Sequence, residues 1–371
     1  MHAAYKLHER RDTIFEISGQ RFEPSNPGFA EAIARAHAGR LRPRCLCRSE
    51  GAEMYVARLA HGYVVKRMPD TGNRHAADCP SFAPSAEQTG LAPLLGSAIR
   101  EDPATGITTL RLDFPLFRSR QTGYSTVASS SAHVYGVSAS GTKLSMGGLL
   151  HYLWEHAGLT RWHPGFEGKR TWAIIRRHLQ RAADHVIAGG CSLGARLYVP
   201  EPFSLANQDE IRARRWANWS SAAAQEGRHQ QLSLLIAEVK EVLPARHGHK
   251  AVVKHVPDVA FTLDEPICKA IGQRFSRELG MWTSGPDIRM LMLATFELRP
   301  AGVPAICGIH LMPVTRQWLP VDTMNEQQLV EQLVRDGRSF KKLLRYDLRC
   351  GEGQPSVALL DRGEPAKLLI A

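Results

Sequence analysis

No stretch of this 371-residue chain approaches the ~18 to 20 uninterrupted apolar residues that a membrane span requires. The N-terminus carries His2, Lys6, His8, Glu9, Arg10 and Arg11 where an export signal would have an apolar core. A cytoplasmic protein with no membrane partner is therefore expected. There is no internal repeat, and Gly189-Gly190-Cys191-Ser192-Leu193-Gly194 is not followed by the Gly-Lys-Ser/Thr of a phosphate loop. Ser339-Phe340-Lys341-Lys342 fits Ser-x-x-Lys but lacks the companion motifs of acyl-transfer enzymes. Acidic residues are in deficit, 36 against 47 Lys plus Arg, and the formal net charge of +11 favours polyanions as partners. Cysteines are few and odd in number, seven, which points to a metal site or reduced thiols rather than a disulfide framework.

What is present is the composition of a globular protein, 43% hydrophobic and 22% charged, in a chain long enough for two or three cores. Residues 1–90 read as a small β-rich module. In it Met54–Leu59 and Tyr63–Arg67 form a hairpin through Ala60-His61-Gly62. Arg35, Arg40, Arg42, Arg44, Arg48, Arg58, Lys66, Arg67 and Arg74 face only Glu50, Glu53 and Asp70 there. Residues 91–145 read as a connector, with one strand at Ile107–Phe117 and a loop from Ser119 to Ser145 marked by Ser129-Ser130-Ser131, Ser138 and Ser140. Segment 146–205 is helical. Ser145 caps a first helix stopped by Gly158, and a second from Thr171 presents Trp172, Ile175, Leu179, Ala182 and Val186 on one face. A strand at Arg196–Val199 makes this segment winged-helix-like.

Residues 206–371 read as an α+β domain with antiparallel strands at Leu232–Val242, Ala251–Val256, Met290–Leu298 and Ala305–Pro313 and a helix at Glu265–Leu279. A capping box at Thr323-Met324-Asn325-Glu326 opens a helix carrying Leu329, Val330, Leu333 and Val334. A terminal meander then follows through Phe340–Leu344, Val357–Leu360 and Lys367–Ile370. The fold class expected is multidomain α+β.

Cys45-Leu46-Cys47 and His75-Ala76-Ala77-Asp78-Cys79 form a Cys3His set, which Zn²⁺ favours because thiolate and imidazole close its tetrahedral shell. The hairpin between the pairs can return the chain to join them, nearby arginines offset the net negative charge of such a centre, and His61 competes as a ligand. The remaining Cys191, Cys268, Cys307 and Cys350 read as core residues. Glu238-Val239-Lys240 ends an apolar run and places both charges on one strand face, as in Mg²⁺-dependent restriction-type nucleases. Pro257-Asp258 follows it where that chemistry wants an acid before it, so a solvated face is the simpler reading. Lys169, Arg170, Arg176, Arg177 and Arg181, and Arg212, Arg214 and Arg215 interleaved with Trp216 and Trp219, combine phosphate-neutralising and base-stacking groups. Arg338, Lys341, Lys342 and Arg345 form a further basic patch, though a helix with such faces is as often only solvated or, for Trp, packed.

Several phrases are familiar together: Arg44-Cys45-Leu46-Cys47, Val65-Lys66-Arg67-Met68-Pro69 with His75 and Cys79, Leu149-Leu150-His151-Tyr152-Leu153-Trp154, Glu238-Val239-Lys240-Glu241, Leu311 to Pro320, and Arg338-Ser339-Phe340 with Leu344-Arg345-Tyr346. On them, nearly the whole chain resembles an uncharacterised bacterial family, domain-of-unknown-function family eleven seventy-three. The resemblance implies a protein of proteobacterial genomes, often carried on plasmids or integrative elements, and brings no activity with it. The leading expectation is a cytoplasmic, zinc-containing accessory protein of a mobile genetic element that binds nucleic acid, chiefly DNA. The alternatives are a nuclease centred on Glu238 and Lys240, and a scaffold whose zinc module recruits a protein partner.

Overall fold

Three long apolar runs in the C-terminal half set the architecture, because strands covered on both faces need apolar side chains at successive positions. The computed structural model describes residues 13–59, 62–119, 133–134, 141–223, 229–299, 302–346 and 354–371. The basic N-terminal residues through Arg11, His61, Ser129–Ser131, Ser138, Ser140 and Cys350 lie outside them. The fold is mixed α+β with mainly antiparallel sheets.

The chain opens with β1 (Phe15–Ile17), β2 (Gln20–Phe22), α1 (Phe29–Ala38), β3 (Arg44–Cys45), β4 (Ala52–Leu59) and β5 (Gly62–Arg67). The strands form an antiparallel sheet in the order β2-β1-β3-β4-β5. Phe29, Ala32, Ile33 and Ala36 recur at helical spacing on α1 and pack with Phe15, Ile17, Met54 and Val56. The expected hairpin forms, with Leu59 paired to Gly62.

The chain after Pro80 is folded. Its short helix α2 (Ala86–Thr89) begins where Ser85 N donates to Gln88 Oε1, Thr89 O accepts from Tyr346 N, and Leu94 is fully buried. Next come β6 (Ile99–Glu101), β7 (Thr108–Leu110), β8 (Phe117–Ser119) and β9 (His133–Val134). The single strand expected over Ile107–Phe117 ends at Leu110, because Arg111 O and Asp113 N turn to Leu144 instead. Helix α3 (Met146–His156) starts as expected, with Ser145 Oγ accepting from Gly148 N, and it is buried on all sides.

After β10 (Arg161–Trp162), helix α4 (Trp172–Ala183) buries Trp172, Ile175, Leu179 and Ala183. The register thus ends on Ala183 rather than Ala182, and Val186 belongs to β11 (Val186–Ala188), which hairpins with β12 (Cys191–Ser192) and runs parallel to β7. The winged-helix-like expectation is corrected by β13 (Leu197–Tyr198). This strand lies against α4, with Val199 O accepting from Arg176, but it forms no wing hairpin among the described residues and instead runs parallel to Leu234–Leu235 in the large sheet.

The remainder comprises α5 (Gln208–Ala223), β14 (His229–Gln231), β15 (Ser233–Pro244), β16 (His249–Val253), β17 (Phe261–Leu263), α6 (Glu265–Arg274), α7 (Ser276–Thr283), β18 (Ile288–Arg299) and β19 (Val303–Thr315). One expected helix is two, since the chain turns at Phe275, whose ring is buried. The pairings β15–β16–β17–β19–β18–β15 close a circuit. Alternation along it sends Leu234, Ile236, Leu291, Leu293, Met312 and Val314 toward α3 and α4, and Leu235, Ala237, Val239, Met290, Met292 and Phe296 toward Trp219 and Phe261. Finally α8 (Met324–Arg335) leads into β20 (Phe340–Lys342), β21 (Val357–Leu359) and β22 (Lys367–Leu369), the expected meander, which β10 extends.

Candidate metal centre

Cys45 ends β3 with its side chain in the module core, and Cys47 follows in the turn toward β4. Beyond β5 a 3-10 turn at Gly72–Arg74 delivers His75, and a further turn, Cys79 N to Ala76 O, brings Cys79 back beside it. Gly72 is required there: a Cβ would lie 2.6 Å from that of Ala83. The four side chains come together: their candidate ligand atoms lie within 4.8 Å of one another and could hold a metal ion. Cys45 Sγ is 3.8 Å from Cys79 Sγ, too far for a disulfide, and His75 Nδ1 is 3.4 Å from Cys47 Sγ and 3.6 Å from Cys79 Sγ.

The surroundings suit thiolates. Ala76 N donates to Cys47 Sγ and Ser81 N to Cys79 Sγ, each at 3.4 Å. Hydrogen bonds with Cys47 and Cys79, and burial, push the Cys45 thiol up, while bonds from Cys45 and Cys79 hold Cys47 down. Three crowded sulfurs cannot all ionise without a cation among them, and a divalent ion supplies that charge. Sequence reasoning missed one neighbouring charge. Arg161, buried on β10, donates to the carbonyls of Cys79 and Phe82 at 2.8 Å each and so ties the metal loop to the body. Cys191, Cys268 and Cys307 are half-buried and form no disulfide among the described residues.

The nucleic-acid candidates separate sharply. Lys169, Arg177 and Arg181 are exposed and form no ion pair among the described residues. Arg176 donates to Val199 O and lies 3.9 Å from Glu201. Arg170 is structural: it donates to the carbonyls of Leu159 and Arg161, lies over the Trp162 and Phe166 rings, and is pushed down to about 9 by burial. Arg214 grips Glu201 through two bonds, Arg212 holds Asp209 and Asp258, and Arg215 is buried against Asp258. Trp219 is fully buried, ringed by Tyr198, Trp216, Phe261 and Phe296. The α5 cluster is therefore corrected from a phosphate surface to a neutralised, packed one.

Glu238 and Lys240 do not form the arrangement a metal nuclease needs. Glu238 is buried and ion-paired with Lys254 at 2.5 Å and Arg289 at 3.5 Å, while Lys240 is exposed beside Glu241. Asp258 is taken by Arg212 and Arg215. Among the described residues the metal-ligating side chains gather only at the Cys3His set.

The last basic patch is likewise interior. Lys341 pairs with Glu155, Lys342 and Arg345 share Glu326 at 3.2 Å each, and Arg338 takes Asp361. Glu326 does serve the helix start, since its N–H reaches Thr323 Oγ1, but its carboxylate accepts from Asp322 N and the two cations rather than closing the expected box. The one available signal was the run of basic residues inside an apolar strand, where charge survives only if paired. No helix among the described residues is long and apolar enough to cross a membrane. No curated protein and no solved structure matches the chain. The family model described as "Protein of unknown function (DUF1173)" matches residues 15–371, and the chain belongs to that family.

Proposed function

We propose that Cys45, Cys47, His75 and Cys79 hold one Zn²⁺ as a closed structural centre, and that the module it fixes contributes to binding nucleic acid through phosphates. The observation that carries the metal is dimensional. Bond lengths of about 2.3 Å to sulfur and about 2.0 to 2.1 Å to nitrogen give tetrahedral edges of about 3.8 Å and about 3.6 Å. The measured separations are 3.8 Å between Cys45 and Cys79 sulfurs and 3.4 and 3.6 Å from His75 Nδ1 to Cys47 and Cys79. All four positions are taken by protein, so the ion holds the fold and has no open site for substrate.

The nucleic-acid reading rests on the charge that stays available. Arg35, Arg40, Arg42, Arg58 and Arg74 on the module, and Lys169, Arg177 and Arg181 beside α4, are exposed without an acidic partner in contact among the described residues. Purified without chelator, the wild type is expected to carry about one zinc per chain by elemental analysis, and Cys45→Ser/Cys47→Ser none. Fluorescence anisotropy with labelled DNA and RNA is expected to show salt-dependent binding that Arg177→Glu/Arg181→Glu weakens for all sequences alike. Absence of binding to either polymer at low salt would remove the nucleic-acid half of the proposal and leave the zinc half standing.

A further inference from the structure

The metal module, α3 and the C-terminal meander meet around a cavity of about 340 Å³, within the range of small-molecule sites. Leu91, Leu95, Ile99, Leu343 and Leu344 supply an apolar wall, and Glu101, at the end of β6, stands at the polar end. No sequence motif marked this place, because its lining comes from segments hundreds of residues apart.

The charged groups on its wall can be accounted for one at a time. Lys341 is held by Glu155 and by Phe82 O at 3.4 Å. Arg67 donates to Ser81 O at 2.9 Å, and Arg100 to Gly96 O at 3.0 Å. Asp70 is exposed to solvent. Of the two lining carboxylates that are not exposed, Glu155 is paired with Lys341 and Glu101 has no counter-charge in contact among the described residues. The ionisable group recorded beside it is His156, whose Nε2 at 4.0 Å is beyond hydrogen-bond reach and whose imidazole is pushed down by its surroundings. Burial raises Glu101 itself, opposed by the more distant charges of Arg67 and Lys66. Lys66 already reaches Gly106 O, and burial lowers its own basicity.

We propose that this cavity binds a small organic cation, an ammonium carried on an apolar body, with the Glu101 carboxylate as its counter-ion and the leucine wall around the body. An anion at the polar end would be set against the Glu101 carboxylate, and a neutral apolar ligand would leave that carboxylate buried without a donor, which is the costly outcome. An ammonium satisfies both ends. The site is independent of the nucleic-acid reading.

Benzylamine, benzyl alcohol and benzoate, which share a ring and differ in charge, are suitable probes for the full-length, zinc-loaded protein by titration calorimetry. Benzylamine is expected to bind at least about ten-fold more tightly than either isostere, the loss of one charge-assisted contact. Glu101→Gln should weaken benzylamine by a similar factor while leaving benzyl alcohol unchanged, and Leu95→Trp, which fills the cavity, should abolish binding of the amine. Equal binding of the three probes, no binding of the amine at millimolar concentration, or full amine binding in Leu95→Trp would each overturn the proposal. If Glu101→Gln does not fold, the ranking of the probes on wild type together with Leu95→Trp decides the matter.

Discussion

The N-terminal module and the strand circuit keep their shape by different means. The circuit rests on strands of 12 and 13 residues, β15, β18 and β19, whose two faces are both covered by large apolar side chains. In the module β1 and β2 have three residues and β3 two, and its core of Phe15, Ile17, Phe29, Ile33, Met54 and Val56 closes on Cys45 and Cys79 rather than on further aliphatics. Even with β4 and β5, of eight and six residues, the module's core is small, so a metal held at the Cys3His set would add stability that the apolar contacts alone do not supply. The circuit needs no such ion. With a metal at the proposed centre, one chain would divide its stability between that ion and a hydrophobic core, and the two parts should fail separately.

The largest test removes the metal. Zinc in small modules supplies about 10 kcal/mol or more at neutral pH. A chelator, or Cys45→Ser/Cys47→Ser, is expected to release hydrogen-exchange protection in β1 to β5 while β15, β18 and β19 stay protected. Loss of protection in both regions together would break the comparison and make the molecule one cooperative unit.

Next in size is the buried ionic knot of the body. Glu326 is 1% exposed and answers both Lys342 and Arg345, so Glu326→Ala strands a lysine that has no water within reach. Removing one partner from such a pair costs about 3 to 5 kcal/mol, measurable as a lower urea midpoint with the zinc content unchanged. An effect below 1 kcal/mol would mean that the knot is hydrated in solution.

A smaller effect is expected in acid. Burial alone would raise Glu155, but the charge and hydrogen bond of Lys341, with Thr160, hold it at about 2. A carboxyl depressed in the folded state binds fewer protons there than when unfolded, so its contribution is complete above the unfolded value near 4.5 and is lost as pH falls toward 2. Allowing for its partial exposure, Glu155→Gln is expected to flatten the acid limb of the stability curve by about 1 to 2 kcal/mol between those values. An unchanged limb would place the acid sensitivity elsewhere, with Asp322 the next group held low.

How much of this was legible in the sequence depended on whether the signal was local. The clustering of Cys45, Cys47, His75 and Cys79 was readable because metal chemistry limits the residue types and their spacing. The β4–β5 hairpin, the Ser145 cap and the long strands were readable because periodicity and capping act over a few residues. The parallel pairing of Leu197 with Leu234 was not, since nothing in Arg196–Val199 states which sheet it joins. Charge was the poorest guide. Arg215 and Lys342 look like surface cations until Asp258 and Glu326, distant in sequence, are found against them. Cavities are the extreme case, because the wall around Glu101 is assembled from segments that share no local pattern.

The smallest effect separates paired from unpaired arginine. Arg214 is about half exposed and grips Glu201 at 3.1 and 2.9 Å, whereas Arg177 is exposed with no acid in contact among the described residues. Exposed ion pairs are worth about 0.2 to 1 kcal/mol, so neither Arg214→Ala nor Arg177→Ala should change stability by more than about that amount. Their effects on nucleic acid should nevertheless differ. A guanidinium already neutralised by a carboxylate releases few counterions from a phosphate, and a free one releases close to a full charge's worth. Arg177→Ala is therefore expected to reduce the slope of log affinity against log salt by about 1, and Arg214→Ala to leave it unchanged. If Arg214→Ala reduced the slope as much, its pairing with Glu201 would have to exchange for phosphate on binding, and the neutralised face of α5 would return to the interface.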